Sequence, residues 1–511
     1  MNRRDFLSRL ATASAATTLG LRSANALAAD SWFTDYHNAA ERAPWLLAYR
    51  SVERESFAAE VAVEGQWPKL LNGVLYRNGP AQHDIGNYRY RHWFDGDGLV
   101  QRFEVTEGKL RHAGQMVQTA KRRREQSLGR AALPAFGSSP PNGVGVARAD
   151  DLNPANISML WHHQRLMALW EAGSPHEIEP TDLSTRGLHH FSQETAGLPF
   201  SAHPKVEPDG TLWNFGYASG SGRIVLWHLN RRGEVENLKA LSVGPTGMPH
   251  DFVVTERYIV LLLAPVHRKE GEATHRGFLG LHRWHPDLPS RVLVVDKHRL
   301  ELVRELELPA QWIFHFGNGF DDGNGVLRFD AARHGNPNVM FNTLSDVMRG
   351  RWTPSEHARW FEYRLDLNTG RASETLVLGP SLGVEFPTVH GSEVGRPHER
   401  VVMLSGDASR TSQPGDLNQV SCWNRNADRL DTYRYPADHM VEEHLLVSDP
   451  AAKQGQGGWI VGTALDCAKQ ATRLSVFAAD RLADGPLAQA TLPYALPLGL
   501  HGTFVPKTSS G

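Results

Sequence analysis

Ser201-Ala202-His203-Pro204-Lys205 sets the reading of this chain. A single histidine stands there among small residues and a proline, and Pro208-Asp209-Gly210 follows as a turn signal. Three further lone histidines have comparable surroundings: Met248-Pro249-His250-Asp251-Phe252, Trp312-Ile313-Phe314-His315-Phe316-Gly317-Asn318 and His501-Gly502-Thr503-Phe504-Val505-Pro506. They lie 47, 65 and 186 residues apart in turn. That is far from the i, i+4 spacing by which one helix offers two ligands. A fold with a central axis, onto which separate strands each send one side chain, suits such spacing, and radial β repetition supplies one.

The text between the histidines is strand-like. Short runs bounded by Gly, Pro, Asn and Asp recur from Phe57 onward: Gly73 to Arg77, Arg102 to Val105, Leu166 to Trp170, Tyr258 to Leu263, Arg291 to Val295, Arg400 to Leu404 and Gly458 to Gly462. Several alternate apolar with polar, the pattern of an all-β sandwich, barrel or propeller. No strict repeat with a WD-type signature is visible, so repeats do not decide among them. Length favours the propeller, since one sandwich of this size would need far longer loops than usual. Helical periodicity is confined to minor inserts, Lys121 to Arg130 and Asn342 to Met348.

The 54 Lys and Arg against 56 Asp and Glu leave a formal charge of -2, so no global field draws in nucleic acid. A small, nearly neutral or apolar partner fits better. Two cysteines, Cys422 and Cys467, exclude a disulfide framework and an all-cysteine zinc site, and leave open whether they pair. The 25 histidines are a hint of metal chemistry. The chain opens Met1-Asn2-Arg3-Arg4-Asp5-Phe6-Leu7, continues through a mild apolar stretch and reaches Ala26-Leu27-Ala28. This reads as a secretory signal of the twin-arginine type over residues 1–28, with a single mature domain over 29–511 in the periplasm or outside the cell. The twin-arginine export machinery is then a partner.

With these residues in view, the chain resembles the carotenoid cleavage oxygenase family. The four histidine stretches are similar to that family's ligand motifs, in order. Tyr76-Arg77-Asn78-Gly79-Pro80 and His92-Trp93-Phe94-Asp95-Gly96-Asp97-Gly98 match two of its other landmarks. The resemblance runs from about Phe57 to Pro506. It implies a seven-bladed β-propeller whose helical inserts cap the metal face. It also implies one Fe(2+) held by His203, His250, His315 and His501, and cleavage of a conjugated C=C bond with O2 as co-substrate. Glu171, Glu385 and Glu443 correspond to the carboxylates that orient the histidines, with Glu442 the neighbour that competes with Glu443, and with His444 where the family commonly has Pro. Such carboxylates accept the free ring N–H, fix the tautomer and raise ligand basicity. Asp95 and Asp97, in a Gly-Asp-Gly turn, read instead as makers of Asx-type backbone bonds.

The resemblance further implies an apolar tunnel for a polyene or stilbenoid substrate, lined by aromatics such as Phe94, Trp170, Phe316 and Phe504, each of which is also an ordinary core residue. So apolar a substrate is drawn from a membrane, which makes a peripheral membrane contact an expectation. Lys121 falls in a segment similar to the family's substrate entrance, where stilbene-cleaving relatives hold a phenol with a lysine. Its bland alternative is a solvated helix face shared with Arg122, Arg123 and Arg124. Two functions compete with carotenoid cleavage: a lignostilbene-type dioxygenase, and a non-catalytic propeller that binds ligands or partners. A zinc hydrolase is disfavoured, since no H-E-x-x-H occurs and catalytic zinc keeps three protein ligands and a water.

Overall fold

Tyr258–Leu263 shows why this sequence builds blades. After Tyr258 its residues are all buried, because a strand covered on both faces needs apolar side chains on both. It pairs antiparallel with Val253–Val254 on one side and Ser290–Asp296 on the other. The outer strand Glu301–Leu308 exposes five residues in a row. The computed structural model describes residues 30–218, 221–269, 277–409, 414–452 and 456–507; the stretch read as an export signal lies outside them. No described helix is long and apolar enough to cross a membrane.

Seven sheets of four or five antiparallel strands form seven blades. Their innermost strands, blade 1 to blade 7, are His501–Pro506, Ser158–His162, Lys205–Val206, Val253–Val254, Trp312–Asp321, Leu382–Thr388 and His439–Val447. Two pairings close the ring. The last strand, His501–Pro506, completes blade 1 by lying against Gly73–Asn78, and Glu64–Gly65 from the beginning of the chain adds to the edge of blade 7 beside Gln489 and Ala488. Apolar layers between blades hold the ring, with Trp213, Trp227, Trp312 and Trp360 essentially inaccessible. Truncating any such tryptophan to alanine costs about 3–5 kcal/mol.

Helices are inserts, near where the sequence puts them: Ala120–Leu128, and a run of π, α and 3-10 turns from Val339 to Arg349. Two more, Ser31–Ala40 and Pro44–Tyr49, precede the first blade. These pack over one face, where Tyr36, Leu46, Tyr49, Val347 and Met348 share an apolar cluster with Ala202, the neighbour of His203. Buried Arg89 stitches the cap together. Its guanidinium lies 3.3 Å from the Tyr36 ring centre, donates to Tyr49 O and Met348 O at 2.7 Å each, and pairs with Asp84.

The Gly-Asp-Gly stretch departs from expectation. A β-carbon at Gly96 would strike the His83 ring and one at Gly98 would strike Ala155 O, so both glycines are there for close approach. Neither aspartate makes a local turn bond. Asp95 accepts from Gly137 N–H and Ser138 Oγ–H, while Asp97 begins the strand Asp97–Thr106 and pairs with Lys121 and Arg122. Cys422 and Cys467 are both buried and unpaired.

Candidate metal centre

Ligand-bearing inner strands are bent at the residues that face the axis. The ladder between Trp312–Asp321 and its neighbour shifts register around Phe314 and His315. That of Leu382–Thr388 shifts just after Glu385, and that of His439–Val447 shifts around Glu442 and Glu443. A bulge re-aims side chains and frees the strand from strict alternation. At the second of these, Phe386 takes a φ of +52°, a left-handed conformation that a bulky side chain adopts only under constraint.

The consequence is one donor from each blade. His501, His203, His250 and His315 come from blades 1, 3, 4 and 5, and Glu171, Glu385 and Glu443 from blades 2, 6 and 7. The donor atoms of the four histidines lie within 4.8 Å of one another. His203 Nε2 stands 3.0 Å from His250 Nε2, and His315 Nε2 stands 3.2 Å from His501 Nε2. Nitrogens about 2.1 Å from one ion and at right angles to each other stand about 3.0 Å apart, so the four rings fit a metal ion.

Three of the rings turn Nδ1 to a carboxylate. Glu385 Oε2 is 2.6 Å from His315 Nδ1, Glu443 Oε1 is 2.8 Å from His501 Nδ1, and Glu171 Oε1 is 2.5 Å from His250 Nδ1, the last a close ionic contact off the line of a good hydrogen bond. A proton held at Nδ1 leaves the Nε2 lone pair for the metal. Burial opposes the charge on Glu385 and Glu443, but His315 and His334 for the one, and His501 for the other, outweigh it and hold both carboxyls below their usual range. Burial and the neighbouring rings push His203 well below the imidazole range. For His250 burial acts the same way, and Glu171 overcomes it.

The neighbour of Glu443 has a separate task. Glu442 accepts from Thr463 Oγ1–H and Gly499 N–H and lies 3.8 Å from Arg77, which itself donates to Glu443 O at 2.9 Å. The Tyr76-Arg77-Asn78 motif thus braces the strand that carries Glu443. Asp251 ties three ligand segments together. It pairs with Lys205 at 2.7 Å and accepts from Phe316 N–H at 2.9 Å, joining the chain beside His203, His250 and His315. The motif residues Lys205 and Asp251 were on view in the sequence without their mutual contact. Phe386, whose ring lies 5.0 Å from His315 and 5.2 Å from His501, was hidden behind Glu385. His334 belongs to no motif, and its Nε2 is 3.0 Å from Glu385 Oε1.

The residues read as substrate-lining divide. Phe94 is half-buried and meets Phe314 edge-on, and the Phe314 ring lies 5.4 Å from that of His250; Trp170 is also half-buried. Both border the cap cluster. Phe504 does not face the hub, whereas Phe316 lines the cavity beside His203, His315 and His501. Phe316 also packs on Phe329 between blades 4 and 5, and Phe504 packs over Gly73 inside blade 1, because it stands three residues from His501 and so points to the other side of the strand. Lys121 is neither at the site nor solvated. It is fully buried, 2.9 Å from Asp97 and 3.0 Å from Glu125, above the Tyr90 ring. Burial disfavours its charge, but Asp97, Tyr90 and Glu125 outweigh that and hold the ammonium well above its usual range.

A cavity of about 250 Å³ reaches His203, His315 and His501 along the axis and is bordered by polar groups, among them Lys205, Asp251 and Asn318. The side bearing Phe94, Phe136 and Phe314 is aromatic. A second cluster, Asp438–His439–Asp466, has donors at metal-like spacing, but its histidine is flanked by one carboxylate on each ring nitrogen, at 2.8 and 3.7 Å, the arrangement of an ion pair.

The profile of the retinal pigment epithelial membrane protein family matches residues 49–506. Apocarotenoid-15,15'-oxygenase of Synechocystis is 27% identical over 90% of this chain and 96% of its own length. Isoeugenol monooxygenase of Pseudomonas nitroreducens is 24% identical over 89% and 96%, and lignostilbene-alpha,beta-dioxygenase isozyme III of Sphingomonas paucimobilis 26% over 89% and 95%. The solved structure of cobalt-substituted Synechocystis ACO superposes with a TM-score of 0.82, 26% identity, and coverage of 91% of this chain and 98% of that one.

Proposed function

The chain belongs to the retinal pigment epithelial membrane protein family, that of the carotenoid cleavage oxygenases, and on that premise we propose that it is an Fe(2+)-dependent dioxygenase. It cleaves a conjugated C=C bond of a carotenoid or apocarotenoid and leaves a carbonyl on each fragment. The observation that carries the reading is the hub: four imidazoles with converging Nε2 atoms, three of them facing carboxylates at Nδ1. Imidazoles alone suit several metals, and family membership favours iron.

His203, His250, His315 and His501 would hold the ion, which when bound supplies the means to activate O2 toward an alkene. The rest of the work falls to the chain. Glu171, Glu385 and Glu443 keep a proton at Nδ1 of three rings. Phe94, Phe136 and Phe314 exclude water from one side of the hub and offer an apolar wall to a polyene, as does half-buried Trp170. The engagement of Lys121 by Asp97 and Glu125 favours the polyene over a phenolic stilbene, since no ammonium is left at that position for a phenol.

Relatives are named both dioxygenase and monooxygenase, so the fate of each oxygen atom is the discriminating measurement. Protein purified without oxygen should contain one iron per chain and convert an apocarotenoid to aldehydes under ¹⁸O2 with label in both fragments. Label in one fragment, or turnover of a lignostilbene alone, would overturn the corresponding part of the reading. Export by the twin-arginine route belongs to the same proposal: replacing Arg3 and Arg4 by lysine should move the protein from periplasm to cytoplasm in a cell fractionation.

A further inference from the structure

We infer that His334 is a positioning residue of the metal centre, which holds Glu385 so that Glu385 can hold His315. The inference rests on the metal-site reading above and deepens it. The three carboxylates at the hub are not held alike. Glu443 accepts a second bond, from Gly502 N–H at 2.8 Å, supplied by the backbone next to the ring it serves. Glu171 has its contact with His250. Glu385 is held on both oxygens: Oε2 takes His315 Nδ1 and its own neighbour Phe386 N–H, and Oε1 faces His334 Nε2 at 3.0 Å.

His334 ends the strand Val326–His334 of blade 5 and is 4% exposed. Its other nitrogen, Nδ1, lies 3.3 Å from the backbone oxygen of Glu356. A carboxylate can only accept, so the ring donates from Nε2 to Glu385. That bond restrains the carboxylate that in turn restrains His315. It also pins the plane of the Glu385 carboxylate, which one bonded oxygen would leave free to swivel. Packing alone asks less: the ring meets Phe314 edge-on at 5.9 Å, a contact that any aromatic side chain could make.

The test uses the full chain and the variants His334→Leu, His334→Phe and His334→Gln. Fe(2+) affinity is measured by chelator competition, the visible spectrum is taken on Co(2+)-loaded protein, and thermal stability is measured without metal. Loss of an outer partner costs about 10- to 100-fold in metal affinity, and that is the fall expected for His334→Leu, with shifted Co(2+) bands. His334→Gln, which can still donate to Glu385, should recover most of the affinity. His334→Phe keeps the ring on Phe314 without a donor and should bind metal as weakly as the leucine variant; it stands in where leucine prevents folding. Wild-type affinity in the leucine or phenylalanine variant, or equal losses in phenylalanine and glutamine variants, overturns the inference. A wild-type chain that takes up no divalent ion overturns the metal-site reading instead.

Discussion

Glu385 at the hub and Lys121 in the first turn of the helix Ala120–Leu128 are both charges buried in the same propeller, yet they belong to networks of opposite kind. Around Lys121 the partners close on one another. The ammonium meets Asp97 and Glu125, Tyr90 donates to Glu125, and the N–H groups of Ala132 and Leu133 donate to the same carboxylate. At the hub Glu385 and Glu443 are likewise satisfied, but the rings they hold each keep one nitrogen directed at a common point. Burial and charge are therefore common to both regions. What distinguishes the site is a set of donors held in place from behind and left open in front.

The comparison breaks most sharply on His250. His250→Ala removes one of the open donors, and iron content and turnover should both collapse, beyond the roughly 10- to 100-fold expected for an outer partner. Metal analysis beside the aldehyde assay checks this; retained iron would remove His250 from the ligand set. Lys121→Met reverses the pattern. It leaves Glu125 buried without its cation and Asp97 with Arg122 alone, a loss of about 3–5 kcal/mol, visible in chemical denaturation, while the folded fraction keeps its full iron content. If iron falls in step with Lys121, the two networks are one.

Glu443→Gln is the intermediate case. The amide preserves shape and keeps one oxygen, but loses the charge opposite the metal, so affinity should fall about 10- to 100-fold. Glu442→Gln, one residue away, faces Arg77 and Thr463 rather than a ligand ring. Its cost should appear as stability, with metal affinity within about threefold of wild type, as for a residue that does not touch a ligand. Chelator competition on the two variants side by side separates the roles of adjacent carboxylates.

The blade-forming strands were largely legible in the sequence, because a strand buried on both faces writes itself as an apolar run such as Tyr258–Leu263. The motifs carried the histidines. What the sequence hid were contacts between residues far apart. Lys121 shares a helix with Arg122, Arg123 and Arg124 and so reads as solvated, until Asp97 from blade 1 is brought beneath it. Phe504 reads as site-facing from its nearness to His501, but strand alternation turns it into blade 1. His334 has no neighbouring signal at all, since its importance lies in a carboxylate 51 residues away.

Asp95 gives the smallest and most selective test of the comparison. Like Glu385 it is a fully buried carboxylate, but its contacts are neutral donors, Gly137 N–H and Ser138 Oγ–H. Burial therefore wins, and its pKa rises to about 6 where that of Glu385 falls. The sign of the linkage follows. Between its unfolded value near 3.8 and about 6 the folded state binds the extra proton, so this group favours folding at low pH and that contribution is lost as pH rises through 6. From pH 5 to pH 7 the loss is about 1 kcal/mol. Asp95→Asn, which cannot titrate, should flatten the pH dependence of stability by that amount between pH 5 and 7 in paired denaturation curves. An unchanged slope would mean that a cation reaches Asp95 after all, and that the division between carboxylates held by cations and those held by neutral donors fails at this position.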